Sequence, residues 1–298
     1  MYQYKRSPIF YMGNKHKLLK YLIPLFPEQC DTFVDLFGGS GVVCMNYKGA
    51  KSIYNEFNKN IVELIKMIVN NSPKELNDYW NDKIKQYNLP NQSNKRKDVT
   101  DTTFFKDRQT NYNKMRDDYN KQENKNYKDL YLLSCYSINH LIRFNKDSQF
   151  NASCGNDSYN DITFQRVVDM HERFKDVKII EGDAFDFNFD NITSESFVYL
   201  DPPYSSSEAV YNEKRAFGGW TIESDYKLFE LLEKLNKQCI KWGLSNVFEN
   251  RGKRNEHLIE WCEKNGWQVY HLERNYNPFS RGNSNNDEVY ICNYKMEE

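Results

Sequence analysis

The chain has 298 residues, with 41 basic and 42 acidic side chains and a formal net charge of −1. At roughly 150 residues per domain, that length predicts two domains or one large one. Near-neutrality excludes a general polybasic binder, so any nucleic-acid affinity must come from local patches. The apolar share is 39%, and counting the 13 glycines in place of the 22 tyrosines brings it to about 36%, below the usual ~45–50%. Aromatics at 15% exclude disorder as the cause, because disordered segments are poor in them. A real core plus an elongated polar insertion is expected instead. No run of about 18 apolar residues occurs, so a transmembrane helix is excluded. Met1-Tyr2-Gln3-Tyr4-Lys5-Arg6 leads into no long apolar stretch, so no secretory signal is expected either.

Cys30, Cys44, Cys135, Cys154, Cys239, Cys262 and Cys292 are odd in number, with no C-x-x-C spacing. His16, His140, His171, His257 and His271 form no H-E-x-x-H and pair with no nearby cysteine. Reduced thiols and solvated imidazoles in a cytoplasmic protein are expected, with no disulfide framework and no metal site.

In chain order, residues 31–37 (Asp-Thr-Phe-Val-Asp-Leu-Phe) predict a short buried strand stopped by Gly38-Gly39, and residues 51–57 predict a second strand. Helical spacing follows from Ile61 to Val69. The stretch from about 72 to 130 is rich in Asn, Lys, Asp and Tyr, holds the basic cluster Asn94-Lys95-Arg96-Lys97, and predicts an inserted, mainly helical, polar segment. Strand-like runs return at 177–181, 196–200, 239–244 and 267–272. Between them, Leu228, Leu231, Leu232 and Leu235 stand at helical spacing over 225–237, with Ser224 or Asp225 as the cap, and 256–265 predicts a helix ended by Asn265-Gly266. Strands alternating with helices predict an α/β sheet, mostly parallel. The last strand, Glu288 to Tyr294, follows its predecessor without a helix, which predicts an antiparallel hairpin at the sheet's end. No internal repeat is present.

Two motifs carry chemistry. Phe37-Gly38-Gly39-Ser40-Gly41 directly follows the first strand, where glycines let the backbone pass close under a nucleotide-like ligand and a following helix N-terminus would favour negative charge. Glu56 ends the next strand, where a carboxylate can grip ribose hydroxyls in a βαβ nucleotide site. The pair points to an adenosine-containing cofactor, and the pattern is not a P-loop. Asp201-Pro202-Pro203-Tyr204 follows the apolar strand 196–200, and its prolines force a turn at the sheet's carboxyl edge, where ligands sit in open α/β sheets. The bland alternative is a rigid surface turn that contains an Asp. The functional reading has a rationale: the exocyclic amino group of adenine or cytosine is a poor nucleophile, because its lone pair is delocalised into the ring. Acceptors aimed at the NH₂ pull the nitrogen towards a tetrahedral shape. Asp201 can supply a carboxylate oxygen and Pro202 a backbone carbonyl held by fixed φ angles. Tyr204 offers a face on which a flipped base can stack.

These residues resemble the Dam-type DNA adenine-N6 methyltransferases, which use S-adenosylmethionine. Four further stretches match in order. Ser7 to Lys15 is similar to the family's N-terminal cofactor motif, which implies that Tyr11 and Lys15 touch the cofactor. Glu181-Gly182-Asp183-Ala184-Phe185 resembles the loop that holds the cofactor's adenine, a role implied for Asp183. Asn139 through Asn145, with Phe150-Asn151 and Gly155, resembles the family's hairpin, and Arg281 with Glu288 its C-terminal end. Only 72–130 has no match.

The resemblance implies a Rossmann-like, mostly parallel sheet with a C-terminal antiparallel hairpin, interrupted by an inserted, mainly helical target-recognition domain. The expected divisions are 1–62 and 173–298 for the catalytic domain and 63–172 for the insertion. Phe37, with Gly39 and Gly41, is expected to line the methionine end of the cofactor pocket, and Glu56 to bind the ribose. Asp201, Pro202 and Tyr204 are expected to act on the base. Against double-stranded DNA, Arg143 is expected as a groove or phosphate contact, Asn139 and Asn151 as base readers, and Lys95, Arg96 and Lys97 as phosphate contacts. A solvated loop is the equal alternative for Lys95–Lys97. A monomer is expected, with a dimer as the alternative.

Two departures stand out. Asn151-Ala152-Ser153-Cys154-Gly155 replaces the family's Asn-Val-Pro-Phe-Gly and removes a proline and an aromatic that could wedge into the base stack. Glu56 replaces a common Asp and keeps the carboxylate. The leading expectation is a site-specific adenine-N6 DNA methyltransferase. The alternatives are a methyltransferase for ribosomal RNA amino groups, a cytosine-N4 enzyme, and a catalytically silent DNA-binding protein. No hydride-transfer constellation supports an NAD-dependent oxidoreductase.

Overall fold

A computed structural model describes residues 4–11, 13–90, 102–204, 219–250, 252–272 and 286–296. Lys95, Arg96, Lys97 and Arg281 lie outside the described residues. In chain order the elements are α1 (Leu19–Leu22), β1 (Thr32–Asp35), β2 (Lys51–Glu56), α2 (Lys59–Val69), α3 (Pro73–Gln86), α4 (Thr102–Lys121), α5 (Tyr127–Tyr136) and α6 (Asp161–Phe174). They continue with β3 (Val177–Glu181), β4 (Phe197–Leu200), α7 (Ile222–Lys237), β5 (Lys241–Asn250), β6 (Lys253–Arg254), α8 (Glu256–Asn265), β7 (Gln268–His271) and β8 (Asn286–Cys292). The chain divides into two compact units. The first comprises residues 1–4, 15–58 and 176–298, and the second comprises 5–14 and 59–175.

The first unit holds one eight-stranded sheet in the order β3-β2-β1-β4-β5-β8-β7, with β6 paired to β5. The first five strands of that order are parallel, and β8 runs antiparallel to both β5 and β7. The expected terminal hairpin is therefore present, but β8 also inserts between β7 and β5. That second partner explains why β5 runs to Asn250 rather than stopping at 244: its outer half pairs with β8 and β6. Alternation along β1 and β4 sends Val34, Leu36, Val198 and Leu200 to one face, where Leu228, Leu232, Leu235, Leu258 and Trp261 of α7 and α8 cover them. The other face is aromatic, with Phe26 5.0 Å from Phe197 and 5.1 Å from Tyr199, ring centre to ring centre. Each such fully buried large side chain contributes on the order of 2–3 kcal/mol.

Two local expectations need correction. Helix α7 starts at Ile222 and is capped by Thr221, whose hydroxyl accepts from Ser224 N–H while Ser224 Oγ accepts from Thr221 N–H. Ser224 is thus the third helical residue, and Asp225 turns inward instead of capping. After the glycine loop no regular helix forms. Residues 42–47 make only a short helical turn, with Met45 N–H on Gly41 O and Tyr47 N–H on Val43 O. Helix α8 ends as expected, with Gly266 left-handed at φ 69° and bonded back to Cys262 O.

The second unit is helical, and its core adds large aromatics to the aliphatic side chains of α2 and α5. Trp80, Tyr112, Tyr119, Tyr131, Tyr136 and Phe150 are buried. Their polar tips find backbone acceptors: Trp80 Nε1–H donates to Lys128 O at 2.9 Å and Tyr136 OH to Pro90 O at 2.7 Å. This is why 72–130 reads as polar and still folds. Segment 5–14 belongs here, not with the cofactor half as the expected divisions had it. Lys5 pairs with Asp169 at 3.0 Å, and the Phe10 ring stacks on His140 at 3.9 Å. Helix α2 also packs with α5 and α6, so the unit begins at 59 rather than 63. Among the described residues, no helix is long and apolar enough to cross a membrane, and no group of three His, Cys, Asp or Glu could hold a metal.

Candidate active site

Strand order decides where the chemistry gathers. The chain runs β1, β2, β3 outward in one direction and then returns to place β4 on the other side of β1. The gap between β1 and β4 is a topological switch point, and ligands of open α/β sheets bind outside the carboxyl ends of strands at such points. The carboxyl ends of these four adjacent strands bring together Asp35, Glu56, the Gly182-Asp183 corner and Asp201.

The glycine loop is shaped by β2. Gly38 N–H donates to Asn55 O at 2.8 Å, and Tyr54 OH donates to Gly39 O at 2.6 Å. A side chain at Gly38 would run into the Tyr54 ring, and Gly39 (φ 50°) and Gly41 (φ 73°) are left-handed. Both oxygens of Glu56 hold backbone: Oε2 accepts from Gly39 N–H at 2.7 Å and Oε1 from Asn58 N–H at 2.8 Å. Asn55, buried, donates through Nδ2 to Leu36 O and Gly182 O and so ties the ends of β1 and β3 to β2. Its Oδ1 has no hydrogen-bond partner among the described residues. Asp183 is exposed, and its Oδ1 accepts from Phe185 N–H at 3.0 Å. Phe37, Phe185 and Trp220 form an aromatic group here: Trp220 stacks on Phe185 at 5.9 Å and meets Phe37 edge-on at 5.7 Å. Trp220 is held in turn by Asp225, which accepts its indole N–H at 2.6 Å.

Lys15 lies 2.6 Å from Asp201 Oδ1 and donates to Tyr204 OH at 2.8 Å. Burial works against the lysine's charge, yet Asp201, Tyr204 and Tyr199 outweigh it and hold the ammonium well above its ordinary pKa. Burial also lifts the Asp201 carboxyl, and Lys15 reverses part of that rise. A charged Lys15 gives the Asp201 carboxylate a counter-ion at salt-bridge distance. Pro202 beside it is buried. Asp35, 1% exposed, accepts from Cys44 N–H at 3.2 Å. Burial, with Asp201 and Glu56 adding like charge, pushes its carboxyl up to about 8.

The structure thus brings Lys15, Phe37, Gly39, Gly41, Glu56, Asp183, Asp201, Pro202 and Tyr204 into one unit. Tyr11 falls in the other unit, half-buried. Sequence reasoning missed Asp35, Asn55, Phe185 and Trp220 as site residues. Asp35 and Asn55 sit one or two positions from the residues singled out, where a strand end was the only signal. Trp220 had none.

In the second unit, Arg143 and Asn151 face each other across a hairpin. Arg143 Nε donates to Asn151 Oδ1 and Nη2 to Asn151 O, each at 2.8 Å. Asn139 is exposed and left-handed at φ 52°, in a 3₁₀ turn on the outgoing arm of the same hairpin.

The chain is 33% identical over 302 residues to "Modification methylase StsI" of Streptococcus sanguinis, covering 99% of this chain and 44% of that protein. It is 32% identical over 300 residues to "Type II methyltransferase M.FokI" of Planomicrobium okeanokoites, covering 98% and 43%. With "Type II methyltransferase M.MjaIII" of Methanocaldococcus jannaschii it shares 25% over 256 residues, covering 79% and 82%. The chain spans less than half the length of the first two relatives. The sequence model for D12 class N6 adenine-specific DNA methyltransferases matches residues 11–277. The chain belongs to the D12 class N6 adenine-specific DNA methyltransferase family.

Proposed function

We propose that this chain transfers a methyl group from S-adenosylmethionine to adenine N6 in double-stranded DNA, at a specific sequence and on a flipped-out base, as a cytoplasmic monomer. The observation that carries the reading is the half-buried Asp201, paired with the buried Lys15 at the carboxyl end of β4, one strand from the glycine loop.

The residues present fit the cofactor. Gly38, packed on the Tyr54 ring, and the left-handed Gly39 shape the loop, Asn55 Oδ1 is an orphaned acceptor beside Gly182, and Phe37, Phe185 and Trp220 supply an apolar wall. When bound, S-adenosylmethionine supplies an electrophilic methyl group on a positively charged sulfur. Glu56 places a negative charge at that edge, which favours a cation, and also fixes the loop through Gly39. Asp183 is assigned to the adenine and Tyr11 to the cofactor through the family resemblance.

Beside the cofactor contact its motif implies, Lys15 takes a second role. Its ammonium binds the carboxylate of Asp201, so it acts as that group's charge partner. Lys15 holds one carboxylate oxygen of Asp201, and the Asp201 carboxylate is assigned to accept from the target NH₂. The Pro202 carbonyl is the second acceptor, and Tyr204 the stacking surface. Acceptance, not strong basicity, is what the amino group needs, and Lys15 favours the charged form of the carboxyl against the effect of burial. The second unit, with Arg143, Asn139 and Asn151 on its hairpin, is assigned to DNA, and Lys95–Lys97 to phosphates.

Nucleoside mass spectrometry tests the reading. Unmethylated DNA and bulk RNA are incubated separately with the protein and S-adenosylmethionine, then digested. N6-methyldeoxyadenosine from DNA alone is expected. Product from RNA alone would overturn the DNA assignment, and product from neither, with cofactor binding intact, would leave a silent binding protein.

A further inference from the structure

The hairpin of the second unit is irregular in a specific way. Near its base, Ile138 N–H bonds to Ser153 O at 2.8 Å and Gly155 N–H to Tyr136 O at 2.7 Å. Near its tip, Asn151 N–H bonds to Arg143 O and Asn145 N–H to Gln149 O, both at 2.9 Å. Between those rungs the outgoing strand advances from 138 to 143 while the return strand advances only from 151 to 153. The surplus residues form a 3₁₀ turn over Ile138–His140, with His140 N–H on Ser137 O at 3.0 Å and Leu141 N–H on Ile138 O at 3.1 Å, and it contains the two left-handed residues Asn139 and His140, at φ 52° and 54°. Non-glycine residues persist there only where the surroundings hold them. His140 is held by its stack on Phe10, whose ring also lies 5.2 Å from the Arg166 guanidinium.

The return strand is held by one helix. Asn120 Nδ2 donates to Phe150 O at 2.9 Å, and its Oδ1 accepts from Phe150 N–H at 2.8 Å, so one amide side chain stands in for a neighbouring strand. Tyr112 OH donates to Ala152 O at 2.9 Å. Arg108 donates through Nε to Gly155 O at 2.8 Å and through Nη2 to Asp157 O. All three sit on α4 at multiples of four residues, hence on one helical face, and their targets run in the opposite direction along the strand. Asn151 is bracketed by Phe150 and Ala152, so its backbone is fixed from both sides. Asn151 in turn holds two donors of the Arg143 guanidinium, a group whose donors lie in one rigid plane.

We propose that Arg108, Tyr112 and Asn120 are positioning residues that set which DNA sequence is methylated, by fixing the return strand and, through Asn151, the aim of Arg143. The inference rests on the reading that this hairpin meets DNA. It gives the polar helix of the insertion a purpose, since α4 presents a rack of backbone-binding side chains to a strand that has few ladder bonds of its own.

The test begins with the wild-type protein and a pool of duplexes with a randomised core, from which the methylated sequence is read. Asn120→Asp, which keeps the shape but removes the donor, and Tyr112→Phe, which removes one hydroxyl, are then compared with wild type. The readouts are kcat/KM on the preferred site and on single-substituted sites, cofactor affinity, and melting temperature. Loss of one aimed guanidinium contact is expected to lower the preferred-to-substituted ratio about tenfold, with cofactor affinity unchanged. Variants that melt earlier but keep the wild-type ratio would overturn the inference and leave the rack purely structural. A wild type that methylates no DNA would overturn the functional reading and this inference together.

Discussion

The two units solve the placement of polar groups in opposite ways. In the first, the sheet does the placing: parallel strands in the order β3-β2-β1-β4 end together, and whatever residue ends each strand arrives at the same edge. In the second, side chains do it, one hydrogen bond at a time, from Asn120, Tyr112 and Arg108 to a strand with an irregular partner. A sheet edge tolerates little, because moving one strand end moves a charged group in a dry site. A rack of side chains can lose a member and settle into a neighbouring register. Substitutions in the first unit are therefore expected to abolish chemistry or cofactor binding, and those in the second to blur sequence choice.

The largest effect is expected at Asp201. Asp201→Asn should lower kcat by about 10³-fold or more, about 4 kcal/mol of transition-state stabilisation, with cofactor affinity by calorimetry close to that of wild type. Retained turnover, or lost cofactor binding, would show that Asp201 is not the acceptor for the target amino group.

Next is the pH dependence of stability set by Asp35. Its carboxyl is raised from 3.8 to about 8, so between those values the folded chain keeps a proton that the unfolded chain releases. Stability from this group is fully present below about pH 4 and is lost as pH rises to about 8. Removing the group with Asp35→Asn should flatten that decline, on the order of a few kcal/mol, in melting temperatures taken from about pH 5 to 9. Parallel wild-type and variant profiles would contradict it.

Glu56→Gln should weaken cofactor binding about tenfold, about 1.4 kcal/mol, because the amide keeps one acceptor for two backbone N–H donors. If the variant melts earlier yet binds cofactor normally, Glu56 only holds the loop. The smallest effect is expected in the second unit. Arg143→Ala should relax preference at one base position, a discrimination worth about 1–3 kcal/mol. A uniform loss across sequences would make Arg143 a phosphate contact and erase the distinction between the units.

Legibility in the sequence follows the same division. Strands β1 to β4 and the helices α7 and α8 were readable because their apolar runs and leucine spacing are local signals of burial. The glycine loop and Asp201-Pro202 were readable because turns need particular residues at particular positions. The boundary of α7 was misplaced because Ser224 and Thr221 are both good caps, and only the reciprocal bond to Ser224 selects Thr221. The aromatic part of the insertion's core was not readable by aliphatic periodicity, since tyrosines bury their rings there and hand their hydroxyls to distant carbonyls.

The sequence by itself determined the α/β class, the polar helical insertion, and which residue types end the strands. It did so because periodicity, caps and turn chemistry act over a few residues. Only the tertiary structure decided that Lys15 belongs to Tyr204, 189 positions away, and to Asp201. It also decided that 5–14 joins the second unit and that Asn55 ties three strand ends together. Those outcomes depend on which strands become neighbours, and that is settled by burial over the whole sheet rather than by any local preference.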